Sequence, residues 1–400
     1  MTPLSISEIQ AAAKDKLPKH IYDFYASGSD NEKALARNRS GFDRLFIQPR
    51  VLRNVSSVDT STTIFGWQSP LPIGLAPSAM QKLAGGDGEL DTARAAARHG
   101  VSMTLSSQST VSLEEVTQVR DDQQHSGAAA PPPPPFWMQI YLYEDVEKSL
   151  KLIRRAEAAG YQALVLTVDT PVLGNRLNER KTPLVLPRGM HLPNLDSPLL
   201  PDAEEPEPEP QPSINRQLMN AASAAEAQAL RTRYGHRMHS ASLTWSRTIK
   251  FLRDATRMRI ILKGIMTGAD AALAVQHGVD AIIVSNHGGR QLDATCATIE
   301  ALPGIVAAVR RAIPVILDGG IQTGADVFKA LALGAEFVLV GRPVLWGLAY
   351  QGNKGVEAAI NILERELSRT MALAGVVKIS EITKETLGII PADGFGVTKL

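Results

Sequence analysis

Nine residues, Ser285-Asn286-His287-Gly288-Gly289-Arg290-Gln291-Leu292-Asp293, hold the densest chemistry in the chain. An imidazole, two glycines and a guanidinium fall within four positions. The histidine can take a proton near neutral pH. The glycines let the backbone turn sharply and approach a ligand closely. The arginine can grip a carboxylate through two parallel hydrogen bonds. Taken alone, His-Gly-Gly is more often a turn after a core strand than a site. Its meaning depends on whether other strands end in matching chemistry.

The stretch follows Ala281-Ile282-Ile283-Val284, an apolar, mostly β-branched run that reads as a buried strand. Seven further runs alternate with helical patterns: Leu71–Ser78, Ser102–Ser106, Phe136–Tyr141, Ala163–Asp169, Arg259–Lys263, Pro314–Asp318 and Phe337–Gly341. The helices between them include Glu89 to His99, Asp145 to Ala159, Ala269 to Gln276 and Ala325 to Leu333. Eight such repeats predict a closed (β/α)8 barrel (TIM barrel). An open doubly wound sheet is the alternative. It would need a glycine-rich dinucleotide turn after the first strand, and Pro77-Ser78-Ala79 does not supply one. One domain is expected over 1–400, with a helical segment at 1–70, the barrel at 71–350 and C-terminal helices and tail at 351–400. In the first segment, helices are expected from Ser7 to Leu17 and from Lys19 to Ala26. Thr60 to Ile64 reads as a short strand outside the main core.

Two segments break the repeat. Pro131 to Pro135 reads as a stiff polyproline II spacer. A long, partly disordered insert of about 171–240 follows strand four and contains Pro201 to Pro212, where proline alternates with acid. A loop after strand four emerges on the catalytic face, so a lid and a neutral insertion are equally open.

In this fold the site is built at the carboxyl ends of the strands. Those ends carry Ser78, Ser106, Gln139 with Tyr141, Thr167 with Asp169, Lys263, His287 with Arg290, Asp318 with Gly319 and Gly320, and Gly341 with Arg342. A purely structural barrel does not need polar or glycine-rich chemistry at every end. The last two ends suit a phosphate, with converging backbone N–H groups and the Arg342 guanidinium. Lys263, at the end of a buried strand, needs an anion. A reduced cofactor ring, the substrate, or an ion pair with Asp318 or Asp169 would each serve. Asp169 can fix the tautomer of His287. Arg290 and Arg176 are candidate carboxylate grips, and Tyr141 can bond a substrate hydroxyl.

Composition narrows the partners. With 42 basic and 41 acidic side chains, and no sustained basic stripe, a nucleic-acid role is not expected. One cysteine, Cys296, fits a reducing compartment. No apolar run reaches the roughly 18 residues of a membrane span, and no signal-peptide core is seen. A soluble, intracellular chain is expected.

These residues resemble the FMN-dependent 2-hydroxy acid oxidases and dehydrogenases, the glycolate oxidase-like family. The likeness rests on Ser285 to Asp293 and on Lys16 to Lys19, Tyr25 to Gly28, Ala76 to Lys82, Thr104 to Ser107, Leu166 to Pro171, Leu262 to Gly264, Leu317 to Gly320 and Val340 to Pro343. It implies FMN and oxidation of an (S)-2-hydroxy acid to the 2-oxo acid, with no metal. His287 would be the base that takes a proton as hydride equivalents pass to flavin N5, and Asp169 would stabilise the imidazolium. Arg290 and Arg176 would hold the carboxylate, and Tyr141 the hydroxyl. Lys263 would stabilise the reduced flavin at N1. Pro77, Ser78, Ala79, Ser106, Gln139, Thr167 and Ser285 would line the ring and ribityl. Asp318, Gly319, Gly320, Gly341 and Arg342 would hold the ribityl and phosphate.

Three positions depart from the family pattern. Phe24 stands in the substrate site where many members have a tyrosine, as in the long-chain-preferring branch. Gln108 replaces a tryptophan of glycolate-preferring members. Gln322, in the cofactor site, replaces an arginine that usually joins the phosphate site. The region before the barrel shows no haem motif, and the insert is acidic rather than apolar. O2 is therefore the expected acceptor, giving hydrogen peroxide. A different acceptor or a specialised substrate is the alternative. The resemblance also implies a tetramer. Thr398-Lys399-Leu400 is similar to a peroxisomal tripeptide but starts with threonine, so cytoplasm and peroxisome are both expected locations.

Overall fold

Short aliphatic runs bounded by glycine and proline make strands when both of their faces are buried. In the computed structural model, which describes residues 2–122, 133–195, 211–390 and 398–399, eight such runs form one parallel sheet. They are β1 (Ile73–Leu75), β2 (Thr104–Ser106), β3 (Trp137–Ile140), β4 (Ala163–Thr167), β5 (Arg259–Ile265), β6 (Ala281–Val284), β7 (Val315–Asp318) and β8 (Phe337–Val340). Neighbours pair in chain order from β2 to β8, and β8 pairs with β1. The ring closes where Leu75 bridges Met103 and its N–H donates to the Ser102 carbonyl at 2.8 Å. This is the expected (β/α)8 barrel, and closure excludes the open sheet.

The two-residue period of the strands builds the site. Trp137, Val165, Ile261, Ile283 and Ile316 belong to one buried cluster inside the barrel. Two residues further along each strand come Gln139, Thr167, Lys263, Ser285 and Asp318. The same inward face therefore ends in polar chemistry at the carboxyl mouth. A second, larger cluster lies between the strands and the surrounding helices.

The segment before β1 departs from expectation. Thr62–Ile64 and Trp67–Ser69 form an antiparallel hairpin. Ile64 is only 1 % exposed and belongs to the inner cluster, with Phe65 and Trp67 packed beside it. This strand is a plug in the barrel core, not an element outside it. The first two helices, α1 (Ile6–Lys16) and α2 (Lys19–Ala26), fall where expected. A third, α3 (Lys33–Asp43), was not read from the sequence. Its N-cap, Glu32, makes no capping bond. Instead Asp293, far along the chain, accepts from Ala34 N–H at 2.8 Å and Asn31 N–H at 3.1 Å.

The insert contributes helices at Leu177–Lys181, Ile214–Asn220 and Ala224–Tyr234. Most of the proline–acid run and Pro131–Pro132 lie outside the described residues, as does Leu400. Among the described residues no helix is long and apolar enough to cross a membrane.

Ile64→Ala should remove about 2–5 kcal/mol of stability. A denaturant midpoint that does not move would show that the hairpin does not plug the barrel.

Candidate active site

The strand ends meet around a cavity of about 1420 Å³, counted out to its open mouth. Among the described residues it is lined by Phe24, Pro77, Ser78, Ala79, Ser106, Gln139, Tyr141, Thr167, Arg176, Lys263, His287, Arg290, Asp318, Gly319, Gly320, Gln322, Gly341 and Arg342. Asp169 and Ser285 stand just behind this lining. Every site residue expected from the sequence is thus in or next to one cavity.

The turn after β6 presents the histidine. His287 has φ +57°, and Gly288 and Gly289 also have positive φ. The Ser285 hydroxyl accepts from His287 N–H at 3.1 Å. Gly289 cannot carry a side chain, because its Cβ would sit 2.6 Å from Leu35 N in α3. The rest of the turn acts as a staple. Gln291 Nε2 donates to the carbonyls of Asp169 at 2.8 Å and Val172 at 3.0 Å, and its Oε1 accepts from Gly174 N–H at 2.9 Å.

That staple brings Asp169 to the histidine. Asp169 Oδ1 lies 2.9 Å from His287 Nδ1 and also accepts from Thr170 Oγ1 at 2.9 Å. The approach requires Gly264, in the bulge of β5, where a Cβ would sit 2.7 Å from Asp169 Cβ. Burial works against the charge on Asp169. The charge His287 carries at acid pH and its hydrogen bond, then Lys263, outweigh it and hold the carboxyl below its usual range. Burial lowers His287, with Lys263 and Arg176 adding to it and Asp169 opposing. Near neutral pH the imidazole is therefore uncharged. With Nδ1–H donated to the carboxylate, Nε2 is left as a base.

Lys263 is partnered within the protein. Its Nζ donates to Ser285 Oγ at 2.9 Å and lies 3.3 Å from Asp318 Oδ2. Burial disfavours its charge, but Asp318 and Asp169 more than compensate, so its pKa is raised. Of the partners open to it in the sequence, the ion pair with Asp318 is present. Asp318 Oδ1 is buried with no hydrogen-bond partner. Gln139 Nε2 donates to Thr167 Oγ1 at 3.0 Å, and Gln139 Oε1 accepts from Ser107 N–H at 3.2 Å.

The guanidiniums share a carboxylate that sequence reading missed. Glu179 is 2 % exposed. Its Oε1 accepts from Arg176 Nη1 at 3.1 Å and Arg290 Nη2 at 2.9 Å, and its Oε2 from Arg216 Nε at 3.0 Å. Against the cost of burial, Arg176, Arg290 and Arg216 pull it down to about 2. The spacing of Arg176 and Glu179, three apart on one helical turn, was a usable signal. Arg290 also donates to the carbonyls of Phe24 at 2.6 Å and Ser27 at 3.1 Å. Its Nε–H and one Nη2–H remain for a ligand.

Arg342 spends three N–H groups on the carbonyls of Tyr25 at 2.8 Å, Gly288 at 2.9 Å and Ser27 at 3.0 Å, leaving two. Burial, then Arg39, lowers it to about 10. Gly319 and Gly320 have φ of +90° and +88°. A side chain on Gly320 would run into the Asn38 carbonyl of α3. Asn38 and Arg39 line this end of the cavity, and nothing in the sequence marked them. Tyr141 stacks on His239 with centroids 4.1 Å apart. Burial and the Asp169 charge raise the Tyr141 phenol, which stays a donor. Burial, then His287, pushes His239 down to about 3.

Comparison with known proteins places the chain in a family. A family model described as FMN-dependent dehydrogenase matches residues 13–389. The chain is 42% identical to 2-hydroxyacid oxidase 1 of Homo sapiens, covering 95% of each chain. It is also 42% identical to L-lactate oxidase of Nostoc sp., covering 95% of this chain and 97% of that one. A mandelate oxidase solved with (S)-4-hydroxymandelic acid superposes with a TM-score of 0.80 at 38% identity, covering 94% of this chain and 97% of that one. A family match over nearly the whole chain, with relatives at this identity and coverage, means that the chain belongs to the FMN-dependent dehydrogenase family.

Proposed function

We propose that this protein oxidises an (S)-2-hydroxy acid to the 2-oxo acid and passes the electrons to O2, forming hydrogen peroxide. The observation that carries the reading is the neutral His287, held by Asp169 beside the Arg176 and Arg290 guanidiniums on one cavity. A base next to a carboxylate grip is what removal of a proton from a 2-hydroxy acid requires.

FMN, the cofactor of the family, fits the residues present. Asp318 Oδ1 is a buried acceptor still lacking a donor, which a ribityl hydroxyl would supply. Gln139, Thr167, Ser106 and Lys263 give one wall the polar groups a flavin edge needs, with Pro77, Ser78 and Ala79 lining the same cavity. Gly319, Gly320, Gly341, Gln322 and the spare N–H groups of Arg342 lie at the end suited to phosphate. When bound, FMN supplies the two-electron acceptor.

The chain's own groups do the rest. Arg290 and Arg176 hold the substrate carboxylate and so fix which hydrogens face His287. Tyr141, protonated, donates to the substrate oxygen. His287 Nε2 takes the proton, and Asp169 stabilises the imidazolium that results. Lys263 places a fixed positive charge where negative charge gathers on reduction. We further propose that the enzyme works as a homo-oligomer inside the cell.

His287→Gln should keep FMN but slow its anaerobic bleaching by about 10²–10⁴-fold. Unchanged bleaching would remove His287 from the mechanism. Admission of air after bleaching should return the oxidised spectrum with one peroxide per turnover. Slow return in air with fast return on a quinone would overturn the choice of O2.

Because the folded pKa of His287 is lowered, the base is active above that value and lost as pH falls through it. The profile of kcat/KM should be flat near neutrality, with an acid limb below about 6.5. Asp169→Asn removes the group that opposes the lowering, so the limb should shift to lower pH while the rate falls. A shift to higher pH would contradict the assignment.

A further inference from the structure

The wall built by the segment after β4 carries more positive charge than one carboxylate needs. Arg216 comes from the helix Ile214–Asn220 and is 9 % exposed. Apart from Glu179, its one hydrogen-bond partner among the described residues is Ser213 Oγ, at 3.4 Å. Its guanidinium lies 5.4 Å from the centre of the Phe24 ring, and that of Arg290 lies 5.0 Å from the same ring. Phe24 is therefore not the bare apolar wall that its residue type suggests. Ser213 and Asn215 line the same side of the cavity.

The charges do not balance with a simple substrate. Among the described residues, Glu179 is the one carboxylate in ion-pair contact with Arg176, Arg216 or Arg290. Three cations on one anion leave two positive charges. The carboxylate of a 2-hydroxy acid cancels one. Asp169 makes no ion pair with these three guanidiniums; it lies against His287 and supports the charge on Lys263. Among the described residues one buried cation remains, and a buried charge needs a partner. The strong lowering of Arg290 by burial and by Arg176 agrees with this surplus.

We propose that this wall is a second anion subsite centred on Arg216, and that the preferred substrates are 2-hydroxy dicarboxylates. The substrate class rests on the function proposed above. The chain between the two carboxylates would pass the face of Phe24, with the first carboxylate on Arg290 and Arg176 and the second on Arg216.

The test uses the FMN-loaded enzyme and pairs matched in chain length, such as 2-hydroxypentanoic and 2-hydroxypentanedioic acid. The diacid should be favoured roughly tenfold or more in kcat/KM, mainly through KM, and less so at high salt. Arg216→Met should erase that ratio, and Arg216→Lys should keep most of it. Equal use of both acids by the wild type overturns the subsite, as does an undiminished ratio in Arg216→Met. The wild-type comparison decides even if a variant does not fold. Titrating pentanedioic against pentanoic acid, read from the flavin spectrum, measures the subsite without turnover. Tighter diacid binding with no oxidation of any 2-hydroxy acid would overturn the function and keep the subsite. Oxidation with no diacid preference would do the reverse.

Discussion

The 2.9 Å contact between His287 Nδ1 and Asp169 Oδ1 constrains most of what surrounds it. The two groups leave different strands, β6 and β4, with β5 between them. They meet only because β5 bulges at Gly264 and presents no side chain. Gln291 then ties the two loops together from the other side. The contact fixes the tautomer of the histidine and directs its free nitrogen away from Asp169. It also keeps a buried carboxylate charged, which in turn supports the charge on Lys263. Proton affinity, loop position and the charge of the neighbouring cation are set together.

The same stretch has a second duty. Asp293 caps α3 from a distance, and Asn286 and Asn38 exchange side-chain amide bonds of 2.8 Å in both directions. The N-terminal helices are thus anchored on the turn after β6. Arg342 adds to this by donating to carbonyls on both sides of the seam. The cavity roof is therefore held by hydrogen bonds to the residues that would do the chemistry. A change in the turn after β6 is felt in the roof, and the reverse also holds.

Charge is unevenly spread around the cavity. At the barrel mouth the single cation Lys263 faces two carboxylates, Asp318 and Asp169, while His287 is uncharged. At the outer wall Glu179 stands against Arg176, Arg216 and Arg290. A pocket with a carboxylate-rich floor and a cationic wall selects its ligand by the charge it carries at the far end. Phe24 and Gln108 line the same cavity and, as the family resemblance has it, would leave room for a longer chain. The guanidiniums beside Phe24 add a requirement for polarity at its end.

The sequence by itself determined the eight strands, the closed barrel and a set of candidate site residues that meet at one cavity. Each strand is a short apolar run, and each ends in residues that a packed core would not keep. Local pattern and local chemistry coincide there, so His287, Arg290, Lys263 and Asp169 were legible before any fold was known. Only the tertiary structure decided the rest, because those features depend on partners far apart in the chain. α3 lacks a capping bond from its own N-cap residue and is capped by Asp293, roughly 260 positions away. Ile64 looks like an edge residue until the barrel closes around it. Glu179, Arg216 and His239 sit in an insert whose composition reads as loop; beyond the spacing of Glu179 from Arg176, they gain meaning only when folded against Phe24, Arg290 and Tyr141. The number of cations that share one carboxylate is a fact of three dimensions, and no spacing in the sequence encodes it.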